Sequence, residues 1–137
     1  MKIEEQVLSI EEMKHLQKLG VDTSDASMAY YNISRDNQPD KWILGIANIK
    51  VASVMLSNGI TEMEPTYTIG DLIEKLPIEI NSFYRGIVIV RNYVGTGYLI
   101  DNLSPVSFSD LSLLESLYNL LCWVAENHKE LLEVRNE

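Results

Sequence analysis

The feature that most constrains this chain is the stretch "LLESLYNLLCWVAEN" at residues 113–127. At about 100° per residue, Leu113, Leu114, Leu117, Leu120, Leu121, Val124 and Ala125 fall on one broad face of a helix. A helix with so wide an apolar face is held by burying that face, more than by intrinsic propensity. The rest of the chain must therefore supply a surface for it. The helical pattern runs from Phe108 to Val134, with Ser107 or Ser109 as its cap. If it is unbroken, Leu131 and Leu132 join the apolar face and His128 falls near its middle; a break near Asn127 is the alternative. Trp123 falls on the other side, among Ser112, Ser116, Asn119, Glu126 and Glu130.

Two shorter helices are punctuated by their ends. In "SIEEMKHLQKLG" Ser9 is an N-cap and Glu12 stands three residues on, as a capping box requires. Gly20 is placed for a left-handed end, with Val21 meeting Leu16. Ile10, Met13 and Leu16 form its inner stripe. In "TIGDLIEKLP" Thr68 caps, Asp71 occupies the first turn and Pro77 stops the helix. Gly70 weakens it by up to about 1 kcal/mol relative to alanine.

Strands fill the intervals. "MAYYNIS" and "KWILGIANI", joined by the turn-forming "RDNQPD", predict a hairpin. "VASVML" reads as a further strand ended by "SNG", and "ITEMEPTY" as an edge strand reaching Pro65. "FYRGIVIVRNY" and "GYLID" read as two strands joined around "VGTG". The unalternating run Ile87–Val90 predicts a central strand covered on both faces. The expected fold is α+β: one mainly antiparallel sheet of four to five strands with helices packed on it, in the order α-β-β-(β)-α-β-β-α. A length of 137 residues fits a single domain.

Composition narrows the function classes. With 46% apolar and 23% charged residues the chain is an ordinary globular mixture. The net charge of −9 is spread along the chain with no basic patch, which argues against contact with nucleic-acid phosphates or an acidic membrane surface. No apolar leader precedes the acids of the first residues, and the single cysteine makes no internal disulfide, so a reducing cytoplasm is expected.

The residues that could carry chemistry do not converge. Cys122 and His128 stand close in sequence, but six residues turn a helix by about 600°, leaving the side chains about 120° apart. They can neither share a metal nor form a nucleophile–base pair on an unbroken helix. Glu126 lies nearer Cys122, yet two ligands do not make a zinc site. Cys122 is therefore expected to be a small boundary hydrophobe and His128 a helix-end residue. "GTGYLI" has Gly95 and Gly97 but Ile100 at the third position of a dinucleotide fingerprint, and it leads into a strand; a hairpin turn is expected. Asp36 and Asp40 lack the glycine and distal glutamate of a calcium loop. Glu62 and Glu64 could share a strand face and support acid–base chemistry, or merely charge an edge strand. His15 sits on an exposed flank of the first helix without a nucleophile at suitable spacing. No catalytic, cofactor or metal residues are assigned.

"LSIEEMKHLQKLGVDTSDASM", "PTYTIGDLIEKLP" and "LYNLLCWVAENHKELL" together resemble a family of small uncharacterised proteins from prophage-like and mobile regions of gut Bacteroides-type bacteria. The resemblance covers both ends and the centre of the chain but not residues 30–60. It carries no activity, cofactor or catalytic residue. It implies a bacterial cytoplasmic setting and an accessory role for a mobile element.

Three functions follow as expectations. The first is a non-enzymatic protein-binding module, with Trp123 as an interface residue for a protein partner or for self-association. The second is an acidic inhibitor that mimics nucleic acid and occupies a host DNA-binding protein. The third is a small enzyme using Glu62, Glu64 or Cys122.

Overall fold

The computed structural model describes residues 6–34, 39–47, 62–80, 83–90, 93–100, 103–110 and 112–134. Over these residues the protein is α+β, with four helices and two antiparallel sheets, one of three strands and one of four. This differs from the single sheet expected from the sequence.

Helix α1, Ile10–Lys18, is closed at both ends by local bonds. The Ser9 hydroxyl accepts from the Glu12 N–H at 3.1 Å, and the Glu12 carboxylate accepts from the Ser9 N–H at 3.0 Å. At the other end Gly20 has φ of 93°, the Val21 N–H donates to the Leu16 carbonyl at 3.0 Å, and the Gly20 N–H donates to the Gln17 carbonyl at 2.9 Å. This is the two-bond Schellman end predicted above. Gly20 also makes room: a Cβ there would lie 2.2 Å from the Lys129 ammonium.

The first sheet contains β1 (Met28–Asn32), β2 (Trp42–Ile46) and β3 (Glu62–Thr66) in the order β2-β1-β3. β1 and β2 form the expected hairpin, and Tyr31 stands opposite Ile43 on one side and Met63 on the other. The Tyr31 ring crosses Gly45, where a Cβ would come within 3.1 Å of it, and its hydroxyl donates to the Ile46 carbonyl at 2.6 Å. β3 ends the strand order, as an edge strand containing Pro65 should, because proline cannot donate to a second neighbour. The expected strand at 51–56 lies outside the described residues, as does Asp36.

Helix α2, Ile69–Lys75, follows at once. Thr68 and Asp71 form its capping box, Leu76 is already extended, and Pro77 follows.

The second sheet orders β4 (Glu79–Ile80), β5 (Phe83–Val90), β6 (Tyr93–Ile100) and β7 (Leu103–Asp110) as a meander. Two expectations are corrected here. Gly95 and Gly97 are not a turn; they lie inside β6, opposite Val88 and Gly86 of β5 and Ser109 and Ser107 of β7. The last pair of the β5–β6 register is Val90 with Tyr93. The segment 103–110, read partly as the start of the last helix, is a full strand paired to β6. β5 lies inside the strand order, but the two residues of β4 pair only with Phe83 and Tyr84. Among the described residues Ile87–Val90 is therefore bonded to β6 alone; the expected cover of its side chains lies outside what is described.

Helix α3, Leu113–Asn127, is capped by Ser112 rather than Ser107 or Ser109, because those serines belong to β7. The Ser112 hydroxyl accepts from the Glu115 N–H at 3.3 Å. α3 lies across β6 and β7 and against α2. Its buried arc takes in Leu114, Ser116, Leu117, Leu120, Leu121, Val124 and Ala125. Ser116 was expected on the polar side. It is instead fully buried, within 2.9 Å of the Thr96 hydroxyl, and its carbonyl accepts from that hydroxyl at 3.1 Å. This hydroxyl contact seats α3 on β6 and widens its inner face to about half the helix circumference. α3 ends at His128, whose N–H donates to the Val124 carbonyl at 2.6 Å, and α4 (Lys129–Val134) follows at once.

The core gathers Leu8, Met13 and Leu16 from the N-terminal segment, Tyr67, Leu72 and Leu76 around α2, and the apolar face of α3 with Leu132. Among the described residues no helix is long and apolar enough to cross a membrane.

Candidate functional site

The buried arc of α3 leaves an outer face whose two borders are aromatic. Asn119, Cys122, Trp123 and Glu126 are spaced i, i+3, i+4 and i+7, so they form one contiguous patch. They line a shallow depression of about 340 Å³.

On the sheet side the border is Trp123, which sits beside Ser116 on the helix wheel and so at the rim of the buried arc. This explains its half-burial: part of the indole packs against the core and part remains open. The break in the helix fixes it. The His128 ring leans back on the indole, with centroids 5.1 Å apart and planes tilted by 53°. The Asn127 amide donates to the Trp123 carbonyl at 2.9 Å. His128 Nδ1 lies 3.9 Å from a Glu130 carboxylate oxygen. The separation of about 120° expected for Cys122 and His128 was worked for an unbroken helix; the helix instead ends at His128, and the imidazole partners Trp123.

On the α1 side the border is Tyr118 and Cys122, hydrogen-bonded to each other one turn apart. His15 of α1 meets the Tyr118 ring edge-on at 6.5 Å. Burial pushes the Cys122 thiol above its ordinary range; the bond from Tyr118 partly offsets this, and the carboxylates of Glu126, Glu12 and Glu115 push it further up. Burial likewise raises Tyr118, and Cys122 adds to the effect. A thiol so placed is predominantly protonated at neutral pH and is a poor nucleophile.

A second polar cluster holds the loop after α1 onto α2. The Lys75 ammonium, with only 4% of the side chain exposed, meets the Asp25 carboxylate at 2.9 Å and the Asp22 carbonyl at 2.9 Å. The Tyr67 hydroxyl donates to the same two residues, at 2.6 Å to Asp25 and 2.9 Å to the Asp22 carbonyl. Burial first, and then its bond to Asp25, hold the Tyr67 hydroxyl far above the ordinary tyrosine range. Beside it Asp71 accepts from the Thr68 N–H, the Ser27 N–H and the Ser27 hydroxyl. All of these bonds join parts of the same chain, so the cluster acts as a clamp between loop and helix.

Among the described residues no hydrogen bond or ion pair joins Glu62 or Glu64, the carboxylates suggested for acid–base chemistry, to a nucleophile or a histidine. Glu62 stands opposite Asn32, and Glu64 opposite Tyr30. The Asn32 amide donates to Asp40 at 3.2 Å and to Glu62 at 3.5 Å, while its oxygen accepts from both the N–H and the hydroxyl of Ser34. Among the described residues no three of His, Cys, Asp and Glu are grouped to hold a metal ion.

Reading the sequence placed Trp123 on one face with Asn119 and Glu126, and Glu126 near Cys122, but did not join the four into one patch. The i, i+3, i+4, i+7 spacing of Asn119, Cys122, Trp123 and Glu126 was the available signal. The Asp25–Lys75–Tyr67 clamp left none, since its members are separated by 42 and 50 residues. Comparison with family models, curated proteins and solved structures finds no match for this chain, so its site is read from geometry alone.

Proposed function

We propose that this chain is a non-enzymatic protein-binding module whose contact surface is the outer face of α3, serving a phage-like or mobile element in the bacterial cytoplasm. The observation that carries this reading is the placement of Trp123 at the rim of the depression, half open and buttressed by His128 where the helix ends. A tryptophan whose rotamer is held before binding loses little conformational freedom on contact, which is what makes such residues dominant at interfaces. The chemistry that could make the site an enzyme is blunted: the Cys122 thiol is pushed up, and His128 is turned to Trp123. The second reading, an acidic mimic of nucleic acid, requires carboxylates arrayed outward; Asp25 and Asp71 are instead spent on bonds within the chain.

The test is affinity capture from native cells with wild type and Trp123→Ala in parallel, each first shown to be folded by circular dichroism. A protein retained by wild type and lost from the folded variant supports the reading. Equal retention by both removes α3 as the surface. Sedimentation over a concentration series identifies the case in which the partner is a second copy.

A further inference from the structure

We infer that Lys75 and Tyr67 form a binding site for an acidic peptide segment, and that the loop 22–27 occupies it as the chain's own stand-in ligand. This site is separate from the α3 surface, and neither depends on the other.

The donors belong to the framework. Tyr67 directly follows β3 and Lys75 closes α2. Tyr67 is fully buried, and only 4% of the Lys75 side chain is exposed. A lysine is almost never buried so fully without a partner, so whatever faces this pair must carry negative charge. The Lys75 ammonium meets one oxygen of the Asp25 carboxylate at 2.9 Å, and the Tyr67 hydroxyl meets the other at 2.6 Å. The same two donors reach the Asp22 carbonyl, each at 2.9 Å. Together they read a carboxylate and a backbone carbonyl three residues before it. A small free acid supplies only the first of these; a peptide supplies both.

The acceptors belong to a loop held mainly by polar bonds. Between Val21 and Met28 only Ala26 adds a side chain to the apolar core. The Gln17 amide donates to the Thr23 hydroxyl at 3.1 Å, and Asp71 accepts from both the N–H and the hydroxyl of Ser27. Asp25 is 44% exposed, so solutes reach its carboxylate beside the buried pair. A segment with so few apolar contacts belongs to the low end of local stability. A polar ligand that replaces its bonds one for one displaces it. Tethering sets the threshold: the loop acts at an effective concentration on the order of 1 mM, which an external segment must exceed.

The experiment titrates the folded, isotope-labelled chain with a blocked Asp-Thr-Ser-Asp-Ala peptide, the sequence of residues 22–26. The comparisons are the same peptide with Asn in place of its second Asp, and acetate. Tyr67 and Lys75 signals are followed by NMR in wild type, in Ser27→Ala, which removes one pin of the loop and keeps Asp25, and in Asp25→Ala. Affinity for the acidic peptide should rise in that order. In Asp25→Ala the Asn peptide and acetate should each bind about tenfold more weakly, the scale of one charge-assisted bond. Adding Lys75→Met to Asp25→Ala should abolish binding, whereas adding Trp123→Ala should leave it unchanged, which separates this site from the α3 surface. Equal affinity of Asp25→Ala for the Asn peptide, equal affinity for acetate, or no gain in Ser27→Ala over wild type would overturn the inference. If Asp25→Ala does not fold, Ser27→Ala, altered at an exposed side chain, decides alone through the same three ligands.

Discussion

Replacing Asp25 by asparagine tests whether the Lys75 clamp is an energetic unit. The change keeps the side-chain shape and an oxygen to accept from Tyr67, and removes only the charge. Lys75 is then left with an ammonium that is 4% exposed and held by the Asp22 carbonyl at 2.9 Å, without its anionic partner at 2.9 Å. A charge-assisted bond contributes about 1.5–3 kcal/mol. Asp25 is 44% exposed, so solvent screens part of that interaction and the lower end applies. The expected cost is about 1.5 kcal/mol, or roughly 4–6 °C in Tm for a chain of this size. Lys75→Met fills the same space without the buried charge and should be close to neutral, because it also removes a desolvation cost. In the Lys75→Met background Asp25→Asn should cost less than about 0.5 kcal/mol, giving a coupling of about 1 kcal/mol. Urea unfolding of the four proteins, with unchanged m-values, measures this directly. If Asp25→Asn costs the same in both backgrounds, the two charges are not coupled and the clamp is packing alone.

Leu117→Ala, at a fully buried position of the α3 face, should destabilise by about 2–5 kcal/mol in the same assay. Stability should decline as pH rises past about 10: the Tyr67 hydroxyl is held above its ordinary range in the fold, so the unfolded chain loses its proton first. Tyr67→Phe should lower stability at neutral pH and flatten that alkaline decline, as followed by circular dichroism. The Cys122 thiol should react slowly with alkylating reagents at neutral pH and accelerate only above the ordinary thiol range, whereas Cys122→Ser should stay folded. Rapid alkylation at pH 7 would show that the thiol is not raised.

Local chemistry was legible in the sequence; placement across the chain was not. Ser9 with Glu12, Val21 with Leu16, and Thr68 with Asp71 marked their helices because each bond closes within a few residues. "LSPVSFSD" was misread because its serines and proline resemble a loop and cap, and its strand character comes from pairing with β6. Gly95 and Gly97 carry turn composition but sit in mid-strand for the same reason. Trp123 was found as the odd residue of a polar face. That Ser116, on the same side of the helix wheel, is buried against Thr96, and so brings the edge of the buried arc up to Trp123, depends on a sheet contact 20 residues away.

The place of α3 in the core has a consequence for how the chain is made. Leu8, Met13 and Leu16 are finished off by Leu117, Leu120 and Leu121, about a hundred residues later. During synthesis the N-terminal helix can nucleate from its own caps and meet Tyr67, Leu72 and Leu76, but the part of its apolar face that α3 closes stays uncovered until α3 is released. The nascent chain therefore passes through a stage in which part of its core is exposed to association with other chains. Its yield should depend on how quickly residues 113–127 follow β7, and slow codons between them would prolong the vulnerable interval.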